Sequence, residues 1–245
     1  MWRVVRVPSV TEEDARHLHR SREAIQQDRT RLINRMKSLL LTQGLVLLVD
    51  ASFPSALNTA RLWDGTPIPS GLKARLDRAW AHLTFLNDEL EQVDAEREAI
   101  AVDPDTPLGR YVQALPTLRG IGPVGTWTLA TELFAWRQIQ NRRQLGGLVG
   151  LVPAPYQSGE STRDQGITRA GNRHVRRLIV QLAWGWVCYQ PHSALTLWFQ
   201  QRFGGGGSRL RRIGIVALAR KLLIALWRYV EHGELPEGAL VKPAM

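Results

Sequence analysis

Two long stretches in which apolar positions recur at alternating intervals of three and four constrain this chain most. The first, from Thr11 to about Gln43, runs Ala15, Leu18, Arg22, Ile25, Arg29, Leu32, Met36 and Leu39. The second runs Leu72, Leu76, Ala79, Leu83, Leu86, Leu90, Val93, Arg97 and Ile100. Such spacing lays one stripe of side chains along one face of an α-helix. Sustained over several turns, it predicts two helices packed as a coiled-coil hairpin, or a dimerising coil. The connection from Leu45 to Gly71, with Pro54, Asp64-Gly65, Pro67 and Pro69, reads as a long loop at the hairpin tip. Thr11 with Asp14 resembles a capping arrangement at the first helix start, and Gly44 is a stop.

Asp103-Pro104-Asp105-Thr106-Pro107 breaks the second helix and marks a domain boundary. Beyond it the pattern predicts helices over roughly 108–115, 124–135, 141–149, 171–189 and 209–231, with a further one near 192–202. Gly204 to Gly207 followed by Ser208 reads as a flexible hinge. Trp2 to Val7 alternates like a short strand and has no obvious partner, so it is expected to be severed from a sheet that lies upstream. The expected fold is mainly α: a remnant strand over 1–8, a long antiparallel coiled-coil hairpin over 9–102, a compact helical domain over 108–235 and a tail over 236–245.

The charge balance narrows the partners. Lys+Arg is 32 against Asp+Glu 22, a net charge of +10, and the only lysines are Lys37, Lys73, Lys221 and Lys242. Arginine offers a planar fork of donors that matches phosphate oxygens and stacks on bases. A GC-rich genome raises the Arg/Lys ratio regardless of function, but it does not by itself set the net charge. The single cysteine, Cys188, excludes a disulfide framework and a thiolate metal cage, and its run of Trp184, Trp186 and Tyr189 suggests a packed core thiol. Met1 is followed by alternating Arg and Val rather than an apolar leader, and the apolar segment Ile213 to Val230 is broken by Arg220 and Lys221. Those features point to a cytoplasmic protein with no membrane partner.

Three constellations are able to carry chemistry. Leu118-Arg119-Gly120-Ile121-Gly122-Pro123-Val124-Gly125 has the look of a helix-hairpin-helix turn, in which Gly120 and Gly122 let backbone N–H groups approach a phosphate beside Arg119. A tight turn needed only for helix packing uses the same glycines. Tyr156-Gln157-Ser158-Gly159-Glu160-Ser161-Thr162-Arg163 follows Pro153 and Pro155 and reads as a loop. A loop serine is ordinarily a turn former; Ser158 becomes a nucleophile only if something takes its proton or stabilises the charge that develops. Arg163 and Arg169 are suited to phosphate rather than to accepting a proton. In Gly166 to Arg177, Asn172 is placed as an N-cap, with Arg173, Arg176 and Arg177 on the first turns, where a bound polyanion would relieve their opposition to the helix dipole. A solvated basic face is the plainer alternative. No set of carboxylates, histidines or cysteines has the spacing of a metal site.

Taken together, Pro116-Thr117-Leu118-Arg119-Gly120-Ile121-Gly122-Pro123, Gly150-Leu151-Val152-Pro153, Tyr156-Gln157-Ser158-Gly159 and Gly166-Ile167-Thr168-Arg169-Ala170-Gly171-Asn172 resemble the C-terminal domain of the IS110 family of insertion-sequence transposases, closest to its IS1111 subgroup. The heptad region and the Leu210-to-Tyr229 helix share the likeness, which spans essentially the whole chain. That resemblance implies that Ser158 corresponds to a nucleophile forming a transient phosphoserine bond with DNA. It implies a partner RuvC-like domain whose acidic DEDD set holds Mg²⁺, and a structured guide RNA from the element. Arg163, Arg169, Asn172 and Arg176 are then candidates for holding DNA near the serine.

The acidic domain has no counterpart in this sequence, so the chain is expected to be an N-terminally truncated transposase that binds DNA, oligomerises through the coil and does not cleave alone. No cofactor is expected in the chain itself, and Mg²⁺ only with the acidic domain. A reading from a different class is a non-catalytic nucleic-acid-binding or oligomerising helical protein.

Overall fold

The computed structural model describes residues 6–158 and 161–243, with the backbone alone given for 155–158 and 161–165. The expected strand Trp2–Val7 falls mostly outside those residues, and its described part, Arg6 and Val7, has no regular structure. The fold is mainly α, as the sequence predicts. Two compact units are distinguished, His17–Ala99 and the union of Met1–Arg16 with Ile100–Met245.

The His17–Ala99 unit is built from α1 (Val10–Leu41), the short α2 (Phe53–Thr59) and α3 (Ser70–Ala101). The alternation read from the sequence becomes burial. Leu72, Leu76, Ala79, Leu83 and Leu86 of α3 form one core with Leu32, Met36 and Leu40 of α1. Cross-helix polar pairs fix the direction. Arg22 donates to both carboxylate oxygens of Asp94 (2.6 and 2.9 Å), and Arg29 Nε donates to Asn87 Oδ1 (2.7 Å). Seven residues on in α1 meet seven residues back in α3, so the helices are antiparallel. Arg22, Arg29 and Arg97, which interrupt the apolar series, thus sit where a carboxylate or amide faces them. Arg97 donates to Asp94 Oδ1 at 2.7 Å.

Two positions in the α1 series shift. His19 is buried in place of Leu18, and Leu40 is buried more deeply than Leu39. A helix of 3.6 residues per turn drifts off a strict seven-residue repeat, so the buried stripe steps by one. The helix start is also re-assigned: the cap is a reciprocal pair at Ser9 and Glu12, with Ser9 Oγ accepting from Glu12 N (3.2 Å) and Glu12 Oε2 from Ser9 N (2.7 Å). The segment read as a long loop contains α2, with Phe53 and Leu57 buried and Phe53 stacked on Trp80 at 5.4 Å between centroids. Pro54 does not oppose this helix, because it lies in the first turn, where no N–H is required.

The second unit holds α4 (Pro107–Ala114), a 3₁₀ turn (Leu115–Thr117), α5 (Pro123–Leu129) widening into a π-turn (Ala130–Phe134), α6 (Arg142–Val149), strands β1 (Pro153–Ser158) and β2 (Ser161–Ile167), α7 (Arg173–Tyr189), α8 (Ala194–Phe203) and α9 (Ser208–His232). The segment expected as a loop around Tyr156 is a two-stranded antiparallel hairpin, with Pro155 opposite Asp164, Tyr156 opposite Arg163 and Ser158 opposite Ser161. Pro153 and Pro155 are tolerated because this sheet has only edge strands. The core packs α7 and α8 on α9, which buries Ile215, Leu218, Ala219, Leu222, Leu223 and Leu226. Cys188, expected in the core, is exposed on α7, whereas Trp186 is buried with its Nε1 donating to Ser193 Oγ at 2.8 Å. The stripe of α7 that faces the core is Val175, Ile179, Ala183 and Trp186, and Cys188 lies off it.

The hairpin is closed at its base by two glycine turns set back to back. Gly150, the left-handed C-cap of α6 (φ 70°), accepts from Arg169 N at 3.2 Å, and Asn172 N donates to Leu148 O at 2.9 Å. Thr168 N donates to Val152 O at 2.9 Å. A Cβ on Gly150 would lie 1.9 Å from Ala170 O, and one on Gly171 (φ 103°) would lie 2.3 Å from Leu148 O. No side chain fits at either place.

Two outcomes follow for stability. Gly150→Ala is expected to destabilise the second unit by about 2–4 kcal/mol, read in denaturant unfolding, because left-handed strain and a backbone clash coincide. In the first unit the Arg22 guanidinium beside Asp94 holds its carboxyl below the usual carboxylate range. Its stabilisation is therefore present above the unfolded value of about 4 and lost as pH falls through the folded value. Asp94→Asn is expected to lower Tm at pH 7 and to converge with the unaltered protein as pH falls below the folded value of the Asp94 carboxyl.

Candidate nucleic-acid interface

The residues singled out in the sequence distribute over three places in the second unit. Arg119, Gly120 and Gly122 lie between the 3₁₀ turn and α5, with Gly122 as the α5 N-cap. Much of the backbone there is already engaged by the chain's own C-terminal segment. Arg119 N donates to Leu240 O (3.1 Å), Lys242 N to Thr117 O (2.7 Å) and Lys242 Nζ to Ile121 O (3.1 Å). Buried Gln190 ties the two segments together, its Nε2 donating to Arg119 O and Leu240 O and its Oε1 accepting from Leu240 N. The tail of the sequence thus forms an antiparallel bridge, Val241 with Leu118, against this turn. A shallow hollow beside it is lined by Arg119, Gly120, Tyr189, His192 and Lys242.

Asn172 occupies the N-cap of α7 as the sequence predicts. Its Oδ1 accepts from His174 N (2.9 Å) and Val175 N (3.1 Å). Its Nδ2 donates at 2.7 Å to Oε2 of Glu132, a buried carboxylate on the π-turn. The cap therefore also joins α7 to the π-turn, a role visible only in three dimensions. Arg176 donates to Val149 O at 3.0 Å and so satisfies a carbonyl at the α6 C-terminus. Arg173 and Arg177 are exposed on the first turns of α7. The side chains of Ser158 and Arg163 lie outside the described ones; the Ser158 backbone is the last residue of β1.

Arg169 belongs to the third place, a groove of about 1090 Å³ that the sequence reading did not anticipate. Its rim carries Arg142, Arg143, Arg169, Arg209, Arg212, Arg220 and Lys221, with no carboxylate among its described lining residues. Its floor is apolar: Leu151, Pro153 and Ile167 from the hairpin base, Trp198 from α8, and Ile213, Val216, Ala217 and Ile224 from α9. The Lys221 ammonium stands 4.5 Å over the Trp198 ring centre. Arg169 is the one described non-glycine residue with left-handed backbone (φ 55°), held by the closure of the hairpin base.

A signal for this groove does exist in the sequence. Arg209, Arg212, Ile213, Val216, Ala217, Arg220, Lys221 and Ile224 recur at intervals of three and one along α9, opposite the core-facing residues. This second stripe, mixed in cations and aliphatics, was hidden inside what read as one apolar helix. Among the described residues no three of His, Cys, Asp or Glu converge as a metal site. No described helix is long and apolar enough to cross a membrane.

The glycine turn, the hairpin and α7 fall within residues 112–196, which match the family model described as Transposase IS116/IS110/IS902 family. The protein y4rJ of Sinorhizobium fredii, which carries a transposase name, is 39% identical over 98% of this chain and 63% of its own length. A Yersinia enterocolitica protein named as the transposase for insertion sequence element IS1328 is 30% identical over 68% of this chain and 48% of its own. The Coxiella burnetii transposase for insertion sequence element IS1111A is 25% identical over 95% of this chain and 62% of its own. Over residues 112–196 the chain carries the match to this family of insertion-sequence transposases, and relatives named as transposases are similar to it along most of its length. It spans less than two thirds of the length of these relatives.

Arg169→Gly tests how backbone and charge are coupled at the groove. Relief of about 1–2 kcal/mol of left-handed strain offsets glycine's entropy cost of about 0.5–1 kcal/mol, so Tm is expected to hold or rise slightly. Retention on immobilised heparin is expected to fall, because a rim cation is lost.

Proposed function

We propose that this chain binds DNA and supplies the serine nucleophile of a transposase, with Ser158 attacking a DNA phosphodiester. The seryl Oγ forms a new ester bond to phosphorus while one sugar-oxygen bond to phosphorus breaks. The proton leaving the hydroxyl is balanced by the one taken up by the departing sugar oxygen. One phosphodiester replaces another, so a sugar hydroxyl from a second strand reverses the step without an external energy source. A phosphoserine of this kind preserves bond energy during strand exchange.

The observation that carries the reading is the position of the hairpin. Its base, at Pro153, Gly166 and Ile167, is one wall of the cationic groove, and its far end is Ser158. Five strand steps separate Pro153 from Ser158, about 17 Å of extended backbone. A polyanion on the rim would thus lie against the base of the hairpin whose far end bears the serine. Arg169 contributes to that rim directly, with Arg173 and Arg177 exposed on the neighbouring α7. The likeness to named transposases supports the same assignment.

Other parts of the reading follow the family resemblance. The carboxylates that hold Mg²⁺ are proposed to come from outside the described residues, in the same polypeptide or in another. A structured guide RNA is proposed as a second polyanionic partner, and self-association through the helical hairpin as the route to a paired complex.

The test is denaturing-gel trapping of a covalent protein–DNA adduct on DNA carrying an element end, with Mg²⁺. The chain is compared with a version extended at its N terminus by the acidic segment of a relative. An adduct with the extended version, reduced more than about 100-fold in Ser158→Ala, is the expected result. Undiminished adduct in Ser158→Ala would remove the serine from the mechanism. Binding without any adduct in either version would favour the non-catalytic nucleic-acid-binding reading.

A further inference from the structure

We infer that the groove on the outer face of α9 receives a single, unpaired nucleic-acid strand, with phosphates on its rim and at least one base laid on its apolar floor. This inference rests on the nucleic-acid reading above and specifies what that site takes.

One stripe of α9 fills the core, so burial there is already complete. The opposite stripe is also apolar at Ile213, Val216 and Ile224, yet it lines an open groove, and Ile213 is 54% exposed. A phosphate-binding platform for duplex DNA needs cations and polar groups at its surface, because it touches backbone oxygens and sugars. It gains nothing from an aliphatic floor. Unpaired bases, by contrast, present faces that must leave water, and proteins that hold single strands combine a cationic groove with apolar or aromatic platforms.

Charge favours this occupant over a neutral or basic protein partner. The rim residues Arg209, Arg212 and Lys221 are all exposed, and no described lining residue answers them with a carboxylate. A neutral or basic helix docked there would leave them unneutralised in a partly desolvated setting. A strand with one charge per nucleotide neutralises them at regular intervals. The volume, about 1090 Å³, accommodates a few nucleotides and is far from the girth of a double helix.

The measurement is fluorescence-anisotropy binding of a labelled unpaired oligonucleotide and of its duplex, in the Ser158→Ala background so that no covalent step contributes. Ile213→Ser removes floor without touching the core, and Arg212→Ala removes one rim charge. A thiothymidine-substituted strand, cross-linked and mapped, reports the contact. The expected result is tighter binding of the unpaired strand and a loss of about fivefold or more for that strand alone in Ile213→Ser. Arg212→Ala is expected to weaken binding and reduce the salt slope by about one. Cross-links are expected at Trp198 or along residues 209–224.

Equal or tighter duplex binding, with Ile213→Ser silent, would overturn the single-strand assignment while leaving DNA binding intact. Strand binding indifferent to both variants, with cross-links elsewhere, would overturn the groove and leave the serine reading standing. No binding of either nucleic acid would overturn both. Loss of the adduct test alone leaves this one unaffected.

Discussion

The back-to-back closure of the Gly150 and Gly171 turns is the contact on which the geometry of the second unit depends. It brings the end of α6, the base of the hairpin and the cap of α7 to one point through Arg169 N to Gly150 O, Asn172 N to Leu148 O and Thr168 N to Val152 O. Because the approach leaves no room for a Cβ on either glycine, the two segments meet backbone to backbone. That closeness sets where the hairpin emerges, and so where its serine-bearing strand runs. It also holds Arg169 in a conformation a side chain rarely adopts, aimed into the groove. Backbone strain and a candidate ligand-facing cation thus occur in the same residue.

Two kinds of arginine emerge from the same basic composition. Arg22, Arg97 and Arg176 are spent inside the fold, on Asp94 and on the last carbonyl of α6. Arg142, Arg143, Arg209 and Arg212 stand around an apolar hollow with no described carboxylate to meet them. Net charge alone does not separate the two kinds. Position does, because a cation facing an acidic partner stabilises the chain, whereas a cluster of like charges on one wall raises its energy until a polyanion arrives.

Much of the helical architecture was legible beforehand. The α3 series Leu72, Leu76, Ala79, Leu83 and Leu86 is buried as its spacing requires, and Asn172 caps α7 where an asparagine before a helical run belongs. The hairpin was hidden because Pro153, Pro155 and a serine-glycine run are turn-forming residues, and a two-stranded edge tolerates them. Helix α2 was hidden because it buries only Phe53 and Leu57, and proline in a first turn looks like a breaker. The groove was hidden because its members come from α6, the hairpin, α8 and α9, and no linear window contains them.

By itself the sequence determined the helical class, the antiparallel candidates, the basic balance and the motif set that marks the family. Those follow from local periodicity, composition and short-range turn chemistry, all of which act within a few residues. Only the tertiary structure decided which arginines are internal, that Gln190 and the C-terminal segment occupy the Arg119 turn, that Glu132 meets Asn172, and that α9 has a second face. These depend on which side chains come within hydrogen-bond or van der Waals reach after packing. That proximity between residues 40, 50 or 71 positions apart is set by the core, not by local sequence.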